Sequence, residues 1–421
     1  MRNDYDVAIV GASLAGCSAA ILLGRAGARV ALIEQRPDPR AFKRVCSHFI
    51  QASAVPTLER LGLLDTIAAA GGIRSHAILK TRWGTSAPGP GSHVERSVNL
   101  RRELLDPLVR ETAAATPGVD LMLGRTVDAL REGGVEALDR SGSRAGVRAR
   151  LIVGADGRES RVAALSNVRT RVRRNGRFAY GAYYEGPGPE GAPDATVWLL
   201  DPDWAAAFPT DGGLTFYAAM PTLARAPQFK SEPAAALESF LAALPEAPPM
   251  RDSRRVSPVI GKLKMPNMIR GPVGPGVALI GDAALATDPL WGVGCGWAFQ
   301  SAEWLAHAVA PALRGEEPLE RGLRRYRREH RRRLGGHAFL IHDYASGRKF
   351  SPVERLLFAA SARDERVAER MALFGTRSAP ARSVMSPRLV ARAAMVNARH
   401  ARIGQRPASA PPEPAASAQV S

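Results

Sequence analysis

The sequence predicts an α/β protein in which a mostly parallel sheet is interrupted by an antiparallel, β-rich segment and followed by helices. Three observations carry this. Short apolar, β-branched runs, Asp4 to Gly11, Ala149 to Ala155 and Gly276 to Gly281, which end at or run into glycine, and Arg29 to Gln35 read as buried strands. Gly11 to Ala26 has helical spacing, so the first 35 residues form a βαβ unit. Residues 168–266 change character: Arg177 to Glu185, Thr196 to Leu200 and Leu214 to Met220 alternate as half-buried antiparallel strands do.

The remaining elements follow in order. Val55 to Ala70 and Arg102 to Ala115 read as amphipathic helices, with an excursion towards the β-rich region near 77–97. The expected division is a first domain over 1–167 and 267–335, a substrate domain over 168–266 that sets specificity, and helices over 336–405. Within the last, Pro352 to Phe374 and Pro387 to Ala401 have helical periodicity. The Pro/Ala/Ser-rich 406–421 reads as a disordered tail.

Composition narrows the function. The 421 residues are 45% hydrophobic and 23% charged, which excludes fibrous and wholly disordered classes. The longest apolar stretch, Val7 to Gly24, is broken by glycines and serines, so no membrane insertion is expected and a cytoplasmic location is. Cys17, Cys46 and Cys295 are far apart, which excludes a disulfide scaffold and a cysteine zinc site. The net charge of +18 comes almost entirely from arginine, with eight between Arg321 and Arg333. A basic nucleic-acid-binding or scaffold protein is one reading of that run. No nucleic-acid motif accompanies it, so a solvated helix face is the expectation, with an acidic carrier protein or anionic substrate as the functional variant.

Three segments carry chemistry. Gly11-Ala-Ser-Leu-Ala-Gly16 follows a strand and opens a helix, as a dinucleotide-binding turn does. The first glycine makes the turn, Gly16 lets the helix pack on the sheet, and Ser13 stands where a second glycine is usual. Glu34 ends the next strand, where an acid accepts hydrogen bonds from a ribose. Gly154-Ala-Asp-Gly157 and Gly281-Asp282-Ala-Ala, then Asp288-Pro289-Leu-Trp-Gly292-Val-Gly294, each follow a further strand.

In order and spacing, these segments resemble the para-hydroxybenzoate-hydroxylase-like FAD superfamily over about residues 4–335. The resemblance implies a Rossmann-like FAD-binding domain interrupted by the substrate domain, with FAD as cofactor and NADPH or NADH as transient reductant. Gly11, Ser13 and Gly16 would cradle the pyrophosphate, Glu34 the adenosine ribose, and Arg44 the pyrophosphate again. Arg102 matches the family arginine beside the flavin chain, and Asp156 lies where flavin and nicotinamide cofactor meet. Asp282 would bind a ribitol hydroxyl. Pro289, Gly292 and Gly294 would shape the loop against the ring.

The implied activity is oxygen transfer from a flavin C4a-hydroperoxide, hydroxylating or epoxidising an aromatic or polyene natural-product intermediate. A small molecule, free or carried on an acidic protein, would be the substrate. Arg44-Val-Cys46-Ser47-His48 resembles the CGG segment of the geranylgeranyl-reductase branch, so alkene reduction is the alternative. Cys46 reads as a packed thiol, with a redox role or covalent attachment of flavin as the alternative, and His48 as a candidate pocket residue. Trp204-Ala-Ala206-Ala-Phe208 resembles the WxWxIP strand of halogenases but has Ala206 at the second tryptophan, which argues against halogenation. Trp204, Phe208, Pro289 and Trp291 complete the pocket candidates.

Overall fold

A computed structural model describes residues 4–190 and 192–404; the expected tail at 406–421 lies outside them. Strand β1 (Asp4–Val10), helix α1 (Leu14–Arg25) and β2 (Val30–Glu34) form the opening βαβ unit. Val55 to Ala70 forms two helices, Val55–Arg60 and Leu64–Ala69, because Gly62 between them takes a left-handed φ of 68°. Strand β3 (Ala77–Thr81), helix α2 (Arg102–Ala114), β4 (Val119–Leu123) and β5 (Arg144–Gly154) follow. Next come β6 (Ala179–Glu185), β7 (Ala195–Leu199), β8 (Trp204–Thr210), β9 (Leu214–Met220) and helix α3 (Pro233–Ala242). Strand β10 (Val277–Leu279) leads to α4 (Gly294–Leu313), α5 (Leu319–Tyr344), α6 (Pro352–Ser361), α7 (Glu365–Gly375) and α8 (Pro387–Gly404).

The first sheet runs β10-β5-β1-β2-β4 with every one of these pairings parallel. Parallel strands need both faces covered, and the apolar runs satisfy this. One face packs on α1, α2 and α4 through Ile9, Leu32, Val153 and Phe299; the other holds Ala8, Ile33 and Ile152.

The second sheet orders β6-β9-β8-β7-β3, antiparallel except that β7 pairs parallel with β3. Its side chains alternate strictly. Trp204, Ala206, Phe208, Phe216 and Ala218 point to one face, where Phe358, Met371 and Phe374 of α6 and α7 cover them. Ala205, Ala207, Tyr217 and Ala219 point to the other, covered by Leu237, Phe240 and Leu241 of α3.

The expected boundary at 335/336 falls inside α5, which continues unbroken through Gly335-Gly336. A Cβ on Gly336 would come within 3.0 Å of Ala381, so the glycine serves close packing within the helix and does not end it. Among the described residues no helix is long and apolar enough to cross a membrane, and no cluster of His, Cys, Asp and Glu could hold a metal.

Candidate functional site

A cleft of about 1350 Å³ opens at the carboxyl ends of the parallel strands and reaches the face of the second sheet. It exceeds the ~300–1,000 Å³ of ordinary ligand pockets, as an extended dinucleotide requires. Gly11, Ser13, Glu34, Arg44, Arg102, Asp156, Asp282, Pro289, Gly292 and Gly294 all line it. Gly16 lies behind the wall. A Cβ there would sit 1.8 Å from the Gly11 carbonyl oxygen, and one on Gly11, at φ +104°, 2.6 Å from the Ala155 oxygen. These contacts close the strand–turn–helix so tightly that only glycine fits.

Two helices begin at this cleft, α1 after Ser13 and α4 at Gly294. Neither has a side-chain cap or an acid in its first turn. Their free N–H groups leave partial positive charge suited to an anion. The loop before α4 is set by Asp288, which accepts from Leu290 N–H at 2.7 Å above Pro289, and by Gly292 at φ +60°.

The polar residues of the wall are already engaged with one another. Arg102, 3% exposed, donates to both oxygens of the fully buried Asp106 at 2.7 and 3.0 Å and to Ser13 Oγ at 2.9 Å. Burial pushes the Asp106 carboxyl up, but Arg102 outweighs it and holds it below the usual range. Glu34 accepts from Ala12 N–H at 2.9 Å and Arg36 N–H at 3.0 Å, which fixes its carboxylate at the end of β2. Asp282 pairs with Lys43 at 3.0 Å; burial opposes its ionisation, and the Lys43 ammonium prevails and keeps its pKa low. Asp156 accepts from Ser160 Oγ at 2.6 Å and Val162 N–H at 3.0 Å. Arg44 is exposed at the rim.

Beyond the cleft lies a small apolar cavity of about 70 Å³, sharing Phe49, Phe208 and Gly292 with it. The Phe49 and Phe208 rings, 5.2 Å apart, stand at the junction. Trp204 and Trp291 line the cavity and meet edge to face at 4.7 Å. Trp291 is absent from the cleft wall proper.

His48 lines neither space and is corrected as a pocket candidate. It is 2% exposed at φ +62°. Its Nδ1 accepts the Arg102 backbone N–H at 2.9 Å, so the ring proton sits on Nε2, which faces the Tyr183 hydroxyl. Burial lowers its pKa and keeps the ring neutral. It ties its loop to α2 and β6.

Sequence reasoning missed Lys43, Asp106, Cys295 and the whole α6–α7 wall. Asp106 was legible as the i+4 partner of Arg102, whereas the others depend on contacts distant in sequence.

Residues 4–181 match the FAD binding domain family. A kynurenine 3-monooxygenase from Salinispora arenicola is 31% identical over 339 residues, 71% of this chain and 71% of that protein. A putative 2-heptyl-3-hydroxy-4(1H)-quinolone synthase from Rhodococcus erythropolis is 29% identical over 324 residues, 72% of this chain and 78% of that one. The solved structure of the flavin-dependent brominase Bmp2 shares the fold at 18% identity, with a TM-score of 0.75 over 96% of this chain and 100% of that one. A glycine cradle that a Cβ would fill, two uncapped helix starts and a carboxylate ending β2 fit FAD. The chain belongs to the para-hydroxybenzoate-hydroxylase-like family of FAD-dependent monooxygenases and is an FAD-dependent oxidoreductase.

Proposed function

We propose that this enzyme hydroxylates or epoxidises an aromatic or polyene natural-product-type compound. One observation carries the reading: the cleft ends on an aromatic sheet face and adjoins an apolar cavity of Trp204, Phe208, Trp291 and Phe374. Apolar walls favour a flat or unsaturated substrate over a small acid.

FAD, when bound, supplies the redox chemistry: two electrons from NADPH or NADH, and one atom of O₂ for the substrate while the other leaves as water. The chain's own residues bind, orient and exclude water. Gly11, Ser13 and Gly16 would hold the pyrophosphate at the start of α1, with Arg44 at the rim. Glu34 would hold the adenosine ribose, and Asp282, kept ionised by Lys43, a ribitol hydroxyl. Arg102 fixes Ser13 and Asp106 in the wall beside the flavin chain. Asp156 stands where the nicotinamide donor would approach. Pro289, Gly292 and Gly294 would abut the ring, with the α4 N–H groups stabilising negative charge there. Phe49, Phe208 and Trp204 keep water from the reacting end.

Alkene reduction is the second reading, favoured by Cys46 in the cleft wall. Turnover in ¹⁸O₂ with NADPH or NADH decides between them. One labelled oxygen in the product supports oxygen transfer. Two added hydrogens without label give the case to reduction, and halide incorporation would overturn the reading of Ala206. Arg324, Arg327, Arg328 and Arg331 of α5, without an acidic partner among the described residues, offer an acidic carrier of the substrate a place to dock.

A further inference from the structure

Cys46 and Cys295, separated by 249 residues in sequence, meet with their sulfurs 3.6 Å apart in the cleft wall. Their surroundings are not those of two packed apolar thiols. The Cys46 sulfur faces three donors: the Cys295 thiol, the His48 backbone N–H at 3.3 Å and Arg102 Nη1 at 3.7 Å. The same Arg102 nitrogen is 3.9 Å from Cys295. Hydrogen bonding from Cys295, aided by Arg102 and Lys43, holds the Cys46 thiol well below its ordinary range against the cost of burial. The shared proton stays on Cys295, which that hydrogen bond and burial push up. Three donors converge on one sulfur and a second thiol touches it, which is the arrangement a reactive cysteine with a resolving partner needs. Cys17, buried in α1 and pushed up by burial, has no such partner among the described residues.

We propose that Cys46 and Cys295 form a modification site at which hydrogen peroxide, entering through the cleft, converts the two thiols reversibly to a disulfide. The Cys46 thiolate attacks one peroxide oxygen, the O–O bond breaks, and hydroxide leaves, giving a sulfenic acid on Cys46. Cys295 gives its proton to that hydroxide and attacks the Cys46 sulfur; the S–O bond breaks and the second oxygen leaves as hydroxide, protonated by solvent. Two thiols and one peroxide become one disulfide and two waters, with two electrons passing from sulfur to peroxide. The bond fastens the segment carrying Lys43 and Arg44 to the second residue of α4. The inference stands on the thiols alone and does not depend on which reaction the flavin serves.

The test reads thiols, not turnover. The FAD-loaded protein is treated with a small molar excess of hydrogen peroxide, quenched with N-ethylmaleimide and digested with trypsin without reductant. The expected result is a linked pair of peptides, 45–60 and 271–314, with Cys17 alkylated and dithiothreitol restoring both thiols. In untreated protein Cys46 should alkylate on the order of tenfold or more faster than Cys17. Cys295→Ser should leave a dimedone-trappable sulfenic acid on Cys46, and Cys46→Ser should leave Cys295 reduced at the same dose. If a variant fails to fold, the wild-type map alone decides. Unoxidised Cys46 at a dose that fully oxidises glutathione, or Cys295 modified first, would overturn the proposal.

Discussion

Replacing Arg102 by methionine tests the electrostatic frame of the site most directly. The Arg102 side chain is 3% exposed and that of Asp106 0%, so the pair sits outside the reach of solvent screening. Removing the guanidinium leaves Asp106 with two donors, Ser13 Oγ at 2.9 Å and Lys43 N–H at 3.0 Å, but no countercharge. Breaking a buried pair from one side costs ~3–5 kcal/mol, and the surviving donors place this case near the lower end. Urea unfolding of the flavin-free proteins, followed by tryptophan fluorescence, should therefore show a loss of about 3 kcal/mol at neutral pH. The pH dependence carries a sign. In the wild type Asp106 is held below its usual range, so its contribution is present above the unfolded pKa and lost as pH falls. Without Arg102, burial, the largest influence, raises that carboxyl instead. The variant then loses stability as pH rises through the raised value and regains it on acidification, so the gap to wild type narrows below neutrality. Arg102→Met with Asp106→Leu should recover most of the loss. A single-variant loss under about 1 kcal/mol, or a gap that ignores pH, would refute the argument.

Four further outcomes are expected. Gly16→Ala sets a Cβ at roughly half the needed distance from the Gly11 oxygen, so released flavin per chain should fall sharply, while Gly146→Ala, with open space around it, keeps full flavin and the same Tm. Asp282→Ala removes a charged hydrogen-bond acceptor worth ~1.5–3 kcal/mol, so FAD titration of apoprotein should show at least about tenfold weaker binding; a Kd within twofold of wild type removes Asp282 from the site. Met371→Ala opens the apolar cavity, and kcat/KM should shift towards a bulkier substrate at a cost of ~2–5 kcal/mol in stability; unchanged selectivity would place the substrate elsewhere. Neutralising Arg324, Arg327, Arg328 and Arg331, which have no acidic partner among the described residues, should leave turnover of a free substrate unchanged and slow turnover of a carrier-bound one at low salt.

Local signals in the sequence were enough for the cleft and not for what closes it. Gly11, Gly16 and Glu34 were readable because a turn, a close helix and a strand-end acid are set within one βαβ unit. Asp282 was readable for the same reason, as a strand end beside a glycine-shaped loop. His48 misled because whether a polar loop residue faces a pocket depends on partners such as Tyr183, 135 residues away. Cys46 looked like a packed thiol until Cys295 arrived beside it. The α5 boundary failed because Gly335-Gly336 resembles a stop, while the packing of Gly336 against Ala381 lies in the third dimension.

The same limit bears on the proposed substrate pocket. The sequence points to 168–266, and β8 does present Trp204, Ala206 and Phe208 towards the pocket. A sheet face is only one wall. Its opposite face is spent on α3, and within 168–266 the cavity takes only Val197 besides Trp204 and Phe208. The closing wall comes from Phe358, Ala368, Met371 and Phe374 on α6 and α7, and from Trp291, whose backbone oxygen Gln51 holds. Trp204 is fixed in turn by its indole N–H on the Tyr344 hydroxyl at 3.2 Å, at the end of α5. A second tryptophan in place of the fully buried Ala206 would have to displace this wall. If the cavity receives the substrate as proposed, β8 and the C-terminal helices set its shape jointly, and chains with similar β8 strands but different helices at 352–375 should accept different substrates.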